Sequence, residues 1–290
     1  MHDGAMMSPA EGAAALDWLP GAATELSRHE ADAAAFSNQA VALAVRLAKG
    51  GVRPTGEALA PIYASFARHL AAPITGINLG DFARLAQATQ RLWVASGRDM
   101  ALRPITEQLA MRFGLIAAAL KTPLPQFDAL FDMVFAPAFK TAEHWEQTTE
   151  LLRTRMVDPY FKYLERVYPR IAPPVIPVPE TRPLRIGYLC WSYETGGSYA
   201  IGRVLYSVMR GHALIGAAAS EPFLYAQNRC SPTAEAQFAA LPGLTRRDLS
   251  TVRDPEAAAH VVAADKLDAL VVEGFNAFAF RVAQARPTPT

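Results

Sequence analysis

The chain has 290 residues, 51% of them hydrophobic and 19% charged, which excludes a disordered protein and leaves room for one or two folded domains. Its 28 Lys and Arg nearly balance 27 Asp and Glu with no long basic run, so nothing in the charge points to nucleic acid as a partner. Cys190 and Cys230 are too few for a disulfide framework, Met1 to Pro9 lacks the apolar core of a signal peptide, and no window approaches about 18 uninterrupted apolar residues. A reducing cytoplasm, with no membrane span, is the expectation.

The first half reads as helix after helix. Ser8, Pro9 and Glu11 form a helix-start signal. Ala31 to Lys49 places Phe36, Ala40, Val41, Leu43, Ala44 and Leu47 on nearby faces and stops at Gly50-Gly51. Thr55 to His69, Asp81 to Ala95, Ile105 to Leu120, Phe127 to Phe139 and Ala142 to Tyr168 follow, the last with a break at Pro159. Roughly six or seven helices with short loops predict an irregular antiparallel array with a shared core. Spacing is irregular, so this is not a tetratricopeptide solenoid. Trp18, Trp93 and Trp145 read as core or interface aromatics. His29, His69 and His144 fall in no metal-binding pattern, and Glu143, Glu146 and Glu150 read as a solvated helix face.

The run Ile171 to Pro179 holds four prolines at 173, 174, 177 and 179, which forbids helix and favours a stiff extended linker. The domains are therefore expected at 1–170 (all-helical), 171–181 (linker) and 182–290 (an incomplete Rossmann-like lobe).

After the linker the pattern becomes strand, loop, helix. Leu184 to Cys190 lacks polar alternation and predicts a strand buried on both faces, as in a parallel sheet. Further strands are expected at Phe223 to Ala226, briefly around Leu249, and at Leu267 to Val272. Helices are expected from near Ser198 to about Arg210, at Glu235 to Leu241, Pro255 to Ala264 and Asn276 to Ala285. Arg246-Arg247 reads as a solvated loop. The fold class is α + α/β.

Ligands of such sheets gather at the carboxyl ends of the strands, where helix N-termini also point. Two loops qualify, Trp191 to Ser198 and Glu273 to Asn276. Their candidate substrate-binding residues are Tyr193, Gly196, Gly197, Ser198, Tyr199, Gly274 and Asn276, with Ser192 beside them. Glu194 and Glu273 are candidate general bases if burial raises their pKa. Gly196-Gly197 with Gly202 matches neither a dinucleotide fingerprint nor a phosphate-binding P-loop. The Gly-x-Ser-x-Gly nucleophile elbow is absent, Cys190 reads as a small buried hydrophobe, and His212 and His260 lie away from the strand ends. No metal site is expected.

Arg182-Pro183-Leu184-Arg185-Ile186-Gly187-Tyr188 resembles the opening of the catalytic region of the protein O-linked N-acetylglucosamine transferase family, which includes bacterial relatives and plant SPINDLY-like proteins. Asp265 through Phe275, then Ala285-Arg286-Pro287-Thr288-Pro289, resemble later elements of that region in the same order. The resemblance covers about Arg182 to Thr290. It implies a GT-B glycosyltransferase with two Rossmann-like lobes, the first helping to hold the acceptor and the second binding most of a UDP-sugar. Transfer would be metal-independent and inverting, onto Ser or Thr of a protein, or onto Asn in related bacterial N-glycosyltransferases. Those last carry a helical N-terminal domain similar to the first half here. No permanently bound cofactor is implied. A UDP-sugar is the donor substrate if the complete enzyme is assembled, and the partner is a protein acceptor or a chain that completes the α/β lobe.

The sequence departs from that family in two loops. A histidine expected after the first strand is missing from Tyr193-Glu194-Thr195-Gly196-Gly197-Ser198, and Val272-Glu273-Gly274-Phe275 lacks an expected aspartate. With no second lobe after Thr290, the expectation is a truncated or split glycosyltransferase-like protein, weakly active or inactive alone. The alternatives are a noncatalytic helical interaction or scaffold module with a degenerate α/β lobe, and an unrelated small Rossmann-like ligand-binding protein.

Overall fold

Polar caps decide where several of the helices begin. The computed structural model describes residues 16–50, 53–71, 78–141, 145–171, 182–195, 200–216, 218–274, 276–285 and 287–288. It has an α + α/β fold that divides into two units, Met1–Tyr163 and Leu164–Thr290. The first unit contains α1 (Leu19–Arg28), α2 (Ala33–Lys49), α3 (Gly56–Ala71), α4 (Leu79–Ala95), α5 (Arg103–Ala119), α6 (Pro125–Lys140) and α7 (Trp145–Leu152). Asp32 accepts the Ala34 and Ala35 amides at 3.1 and 3.0 Å to start α2. Asn78 accepts from Gly80 at 2.9 Å, so α4 starts ahead of the Asp81 expected from periodicity. The helix start at Ser8 and the proline-rich linker at 172–181 lie outside the described residues.

On α2, Phe36, Ala40, Leu43, Ala44 and Leu47 are buried at helical spacing. Phe36 stacks on His69 with ring centroids 4.2 Å apart, and burial lowers the His69 pKa. Farther along, Phe113 stacks on Phe127 at 4.3 Å and Phe131 on Tyr160 at 4.5 Å. Trp93 is buried and Trp18 lies 4.0 Å beneath the Arg46 guanidinium, both packing roles. Glu146 and Glu150 are exposed, and Glu150 pairs with Arg153.

The break at Pro159 takes a specific form. A π-helical turn, Arg153–Val157, joins α7 to α8 (Asp158–Val167). In an α-helix the Arg155 carbonyl would accept from residue 159, and proline has no N–H to give. That carbonyl lies instead against Gly114 of α5, where a Cβ would sit 1.9 Å from the oxygen. Gly114 is what permits the two helices to approach.

The second unit runs β1 (Leu184–Cys190), α9 (Ala200–Ile215), β2 (Ser220–Ala226), α10 (Pro232–Ala239), β3 (Thr245–Asp248), α11 (Pro255–Ala264), β4 (Ala269–Glu273) and α12 (Ala277–Gln284). The four strands form one parallel sheet in the order β3-β2-β1-β4. Leu189, Phe223 and Tyr225 face a core that includes Ala258, Val262, Ala279 and Val282 from α11 and α12. Cys190, Leu224 and Ala226 face the opposite core with Leu205, Met209 and Phe238 from α9 and α10. Two apolar faces explain why β1 and β2 lack polar alternation.

Strand bounds shift from the sequence expectation, β2 to Ser220–Ala226, the brief strand near Leu249 to Thr245–Asp248 and the last to Ala269–Glu273, and three further details differ through polar side chains. The amino-terminal end of β1 is not buried, because Leu184 stands among charges: Arg182 pairs with Asp268 and Arg185 with Glu221. Helix α10 begins at Pro232, earlier than expected, because Ser231 caps it through the Ala234 amide at 3.3 Å. Arg246 and Arg247 are not on a loop but in β3, where Arg247 binds the buried Asp265 at 2.6 Å and Arg246 pairs with Glu235. Asp265 also accepts the Tyr225 hydroxyl at 2.7 Å.

Candidate functional site

The chain moves from β1 outward to β2 and β3, then returns to place β4 on the other side of β1. Loops leaving β1 and β4 therefore diverge to opposite faces of the sheet at this reversal of strand order. In open α/β sheets this reversal is where ligands bind. The two loops chosen from sequence are the two that border it. They approach closely: a Cβ on Gly274 would lie 3.7 Å from the Trp191 amide nitrogen. Gly274 has φ of 128°, a region that glycine alone occupies freely.

The candidate residues separate in this geometry. Tyr193 is buried against Phe238, with centroids 4.6 Å apart, and its hydroxyl donates to Glu235. Burial, and then that carboxylate, push its pKa well up. Glu194 is occupied at the start of α10, accepting from the Ser231 amide and, at 2.7 Å, from the Ser231 hydroxyl. Gly202 makes this docking possible, since a Cβ there would stand 1.8 Å from the Glu194 carbonyl oxygen. Asn276 caps α12 by accepting the Ala279 amide at 2.8 Å. Gly196, Gly197, Ser198 and Tyr199 lie outside the described residues.

Glu273 differs. It ends β4 opposite Cys190 and, by strand alternation, shares the α9 side of the sheet with Val271. It is half-buried, and desolvation raises its pKa above the ordinary glutamate value. A carboxyl so tuned at a strand end suits proton transfer. Cys190 is sealed beneath: its thiol donates to the Tyr225 carbonyl at 3.5 Å, and burial, followed by the Glu273 charge, pushes its pKa far up. That is the environment of an inert thiol.

His212 binds Tyr188 and Ser220, both at 2.8 Å, well back from the strand ends, and His260 is exposed on α11. Among the described residues, no group of three or more His, Cys, Asp or Glu could hold a metal ion, and no helix is long and apolar enough to cross a membrane.

Sequence reading passed over Trp191 as an individual residue. It is 56% exposed at the start of the loop after β1, a flat apolar surface where a substrate could stack. Its position directly after the end of β1 was the available signal. Also missed was Gln227-Asn228, a polar pair immediately after the apolar β2.

No protein-family model matches the chain, and no curated protein matches it. Among solved structures, it aligns with a mutant of the Thermobaculum terrenum O-GlcNAc transferase at 16% identity and a TM-score of 0.36, over 98% of this chain and 50% of that one. The chain thus spans about half the length of that protein. A similarity this distant assigns neither activity nor residue roles.

Proposed function

We propose that the chain is the acceptor-side part of a glycosyltransferase-like protein of the two-lobed type, related to enzymes that transfer a sugar from a UDP-sugar to protein side chains. The observation that carries this reading is positional. The two segments that resemble the family, 182–188 and 265–275, contribute adjacent strands, β1 and β4, and their loops flank the strand reversal. In this reading Glu273 accepts the proton of an acceptor hydroxyl, and Trp191 offers a stacking surface to the acceptor chain. The UDP-sugar would be held mainly by a second nucleotide-binding lobe, and the described residues contain a single sheet. Further polypeptide, covalently continuous or separate, supplies that lobe, so the 290 residues alone turn over weakly or not at all.

The test pairs calorimetric titration of a UDP-sugar with a transfer assay on a Ser/Thr peptide, while the peptide is followed by NMR. Expected are negligible turnover and peptide-induced shifts at Trp191 and Glu273 that vanish in Trp191→Ala. Micromolar UDP-sugar binding with turnover by the chain alone, or peptide shifts confined to other surfaces, would overturn the reading. A noncatalytic interaction module is the second reading, favoured by the engagement of both Glu194 oxygens with Ser231. It predicts that no activity recovered with added polypeptide responds to Glu273→Gln.

A further inference from the structure

A cavity of about 570 Å³ opens at the carboxyl ends of β2 and β3, lined by Asn228, Arg229, Ser250, Thr251 and Arg253. We propose that this cavity is a binding subsite for the phosphoryl group of a small phosphorylated ligand. It does not depend on the glycosyltransferase reading.

The lining is donor-rich, with two guanidiniums, two hydroxyls and one carboxamide, and no acidic side chain among its residues. The two arginines also differ from their neighbours. Arg246 and Arg247 are both consumed by carboxylates, Glu235 and Asp265, and sit on β3. Arg229 and Arg253 form no ion pair with another described residue. The nearest competing acids are already engaged. Asp248 is held below the usual carboxylate range first by hydrogen bonding from Ser250, with the charge of Arg229 a lesser contribution. The two oxygens of Asp254 each accept an α11 amide, those of Glu256 and Ala257, at 3.2 Å.

A second observation points the same way. Two of the lining residues carry a buried side-chain donor with no hydrogen-bond partner, Asn228 Nδ2 and the Ser250 hydroxyl. Buried polar atoms in folded proteins are nearly always paired, so two such donors in one lining mark a place where something else completes the bonding. A phosphoryl group supplies acceptor oxygens only, matching a guanidinium pair, hydroxyls and an amide donor. The cavity also lies in the size range of small-molecule sites, which leaves room for an attached polar body such as a sugar. The Asn228 amide donates to the Trp191 carbonyl at 2.9 Å, so occupancy here is one hydrogen bond away from the β1 loop.

Inorganic phosphate and glucose 6-phosphate are the probes, titrated into the full chain and read by calorimetry and by the amide resonances of residues 228, 229, 250, 251 and 253. Expected is saturable binding of both probes, tighter for the sugar phosphate. It should weaken at least tenfold in Arg229→Gln and in Arg253→Gln, a few-fold in Thr251→Val, and not at all in Arg210→Gln on α9. Thermal melts verify that each variant is folded, and Thr251→Val stands in should an arginine variant fail that check. Three results would overturn the proposal: no saturable shift up to on the order of 10 mM of either probe, equal binding by wild type and variants, or binding of a phosphoserine peptide without binding of either small probe. The first would mean that the cavity holds water only.

Discussion

The docking of the β1 loop onto α9 turns on one hydrogen atom. Replacing Gly202 with alanine would put a Cβ 1.8 Å from the Glu194 carbonyl oxygen, 2.5 Å from its carbon and 3.0 Å from the Tyr193 carbonyl carbon. These are backbone atoms, so no side chain can swing aside. The loop must retreat by more than ~1 Å to approach ordinary contact, and overpacking of this kind costs about 1–3 kcal/mol. Retreat also strains the Glu194 hydrogen bonds to Ser231, a charge-assisted interaction in the class worth about 1.5–3 kcal/mol. Alanine returns about 1 kcal/mol of helix propensity. The expected net loss is about 2–4 kcal/mol. Gly211 on the same helix is the internal control, because a Cβ there meets nothing within 4 Å. Gly211→Ala should therefore stabilise by up to about 1 kcal/mol. Urea titrations followed by far-UV circular dichroism and tryptophan fluorescence measure both. With a urea slope of about 2 kcal/mol/M, the midpoint of the second unit falls by about 1–2 M for Gly202→Ala and rises slightly for Gly211→Ala. A Gly202→Ala midpoint at or above wild type, or equal shifts in both variants, would refute the close approach.

Three further outcomes are expected. Gly114→Ala should destabilise the helical unit by about 2 kcal/mol or more, since the Arg155 carbonyl lies 1.9 Å from the added carbon; the loss is read as a lowered urea midpoint of that unit, and Gly21→Ala, with open space around it, is the control. Burial raises the folded-state pKa of Glu273, so its contribution to stability is full below the unfolded value and is lost as pH rises through the folded value. Glu273→Gln should flatten that part of the pH–stability curve, and a carboxyl ¹³C titration of wild type should place the Glu273 midpoint above the ordinary glutamate value. Asp268 runs the opposite way: the Arg182 hydrogen bonds, at 2.6 and 2.5 Å, hold its pKa low, so its contribution is present above the unfolded value and lost as pH falls through the folded one. Asp268→Ala should cost about 2 kcal/mol at neutral pH, measured by urea unfolding, and much less in acid, because both Arg182 and the Arg185 amide lose an acceptor.

Much of the fold was legible because it depends on local signals. Leu184–Cys190 and Pro255–Ala264 form the elements that the sequence predicts, to the residue, because apolar continuity and an N1 proline act within a few positions. Where expectation slipped, the cause was a polar side chain working across space. The pairing of Arg246 and Arg247 in β3 depends on Glu235 and Asp265, and a doublet of arginines carries no trace of those partners in its own sequence. The π-helical turn before Pro159 is similar: the proline announces a break, but its form follows from the space that Gly114 leaves on a different helix.

The site divides along the same line. Strand ends fix where the chain leaves the sheet after β1 and β4, so the positions of those loops could be found from the change of pattern alone. Their chemistry could not. Glu194 and Glu273 are the same residue type, each at or just beyond a strand end, and nothing near either in sequence distinguishes them. Ser231 does, from 37 positions away: it occupies both oxygens of Glu194 and turns that carboxylate into a cap for α10. Glu273 sits opposite Cys190 on an edge strand, where burial without a compensating cation raises its pKa. Glu194 is committed to Ser231, whereas the half-buried carboxyl of Glu273 has its pKa raised, and it is this carboxyl to which the proposed function assigns proton transfer.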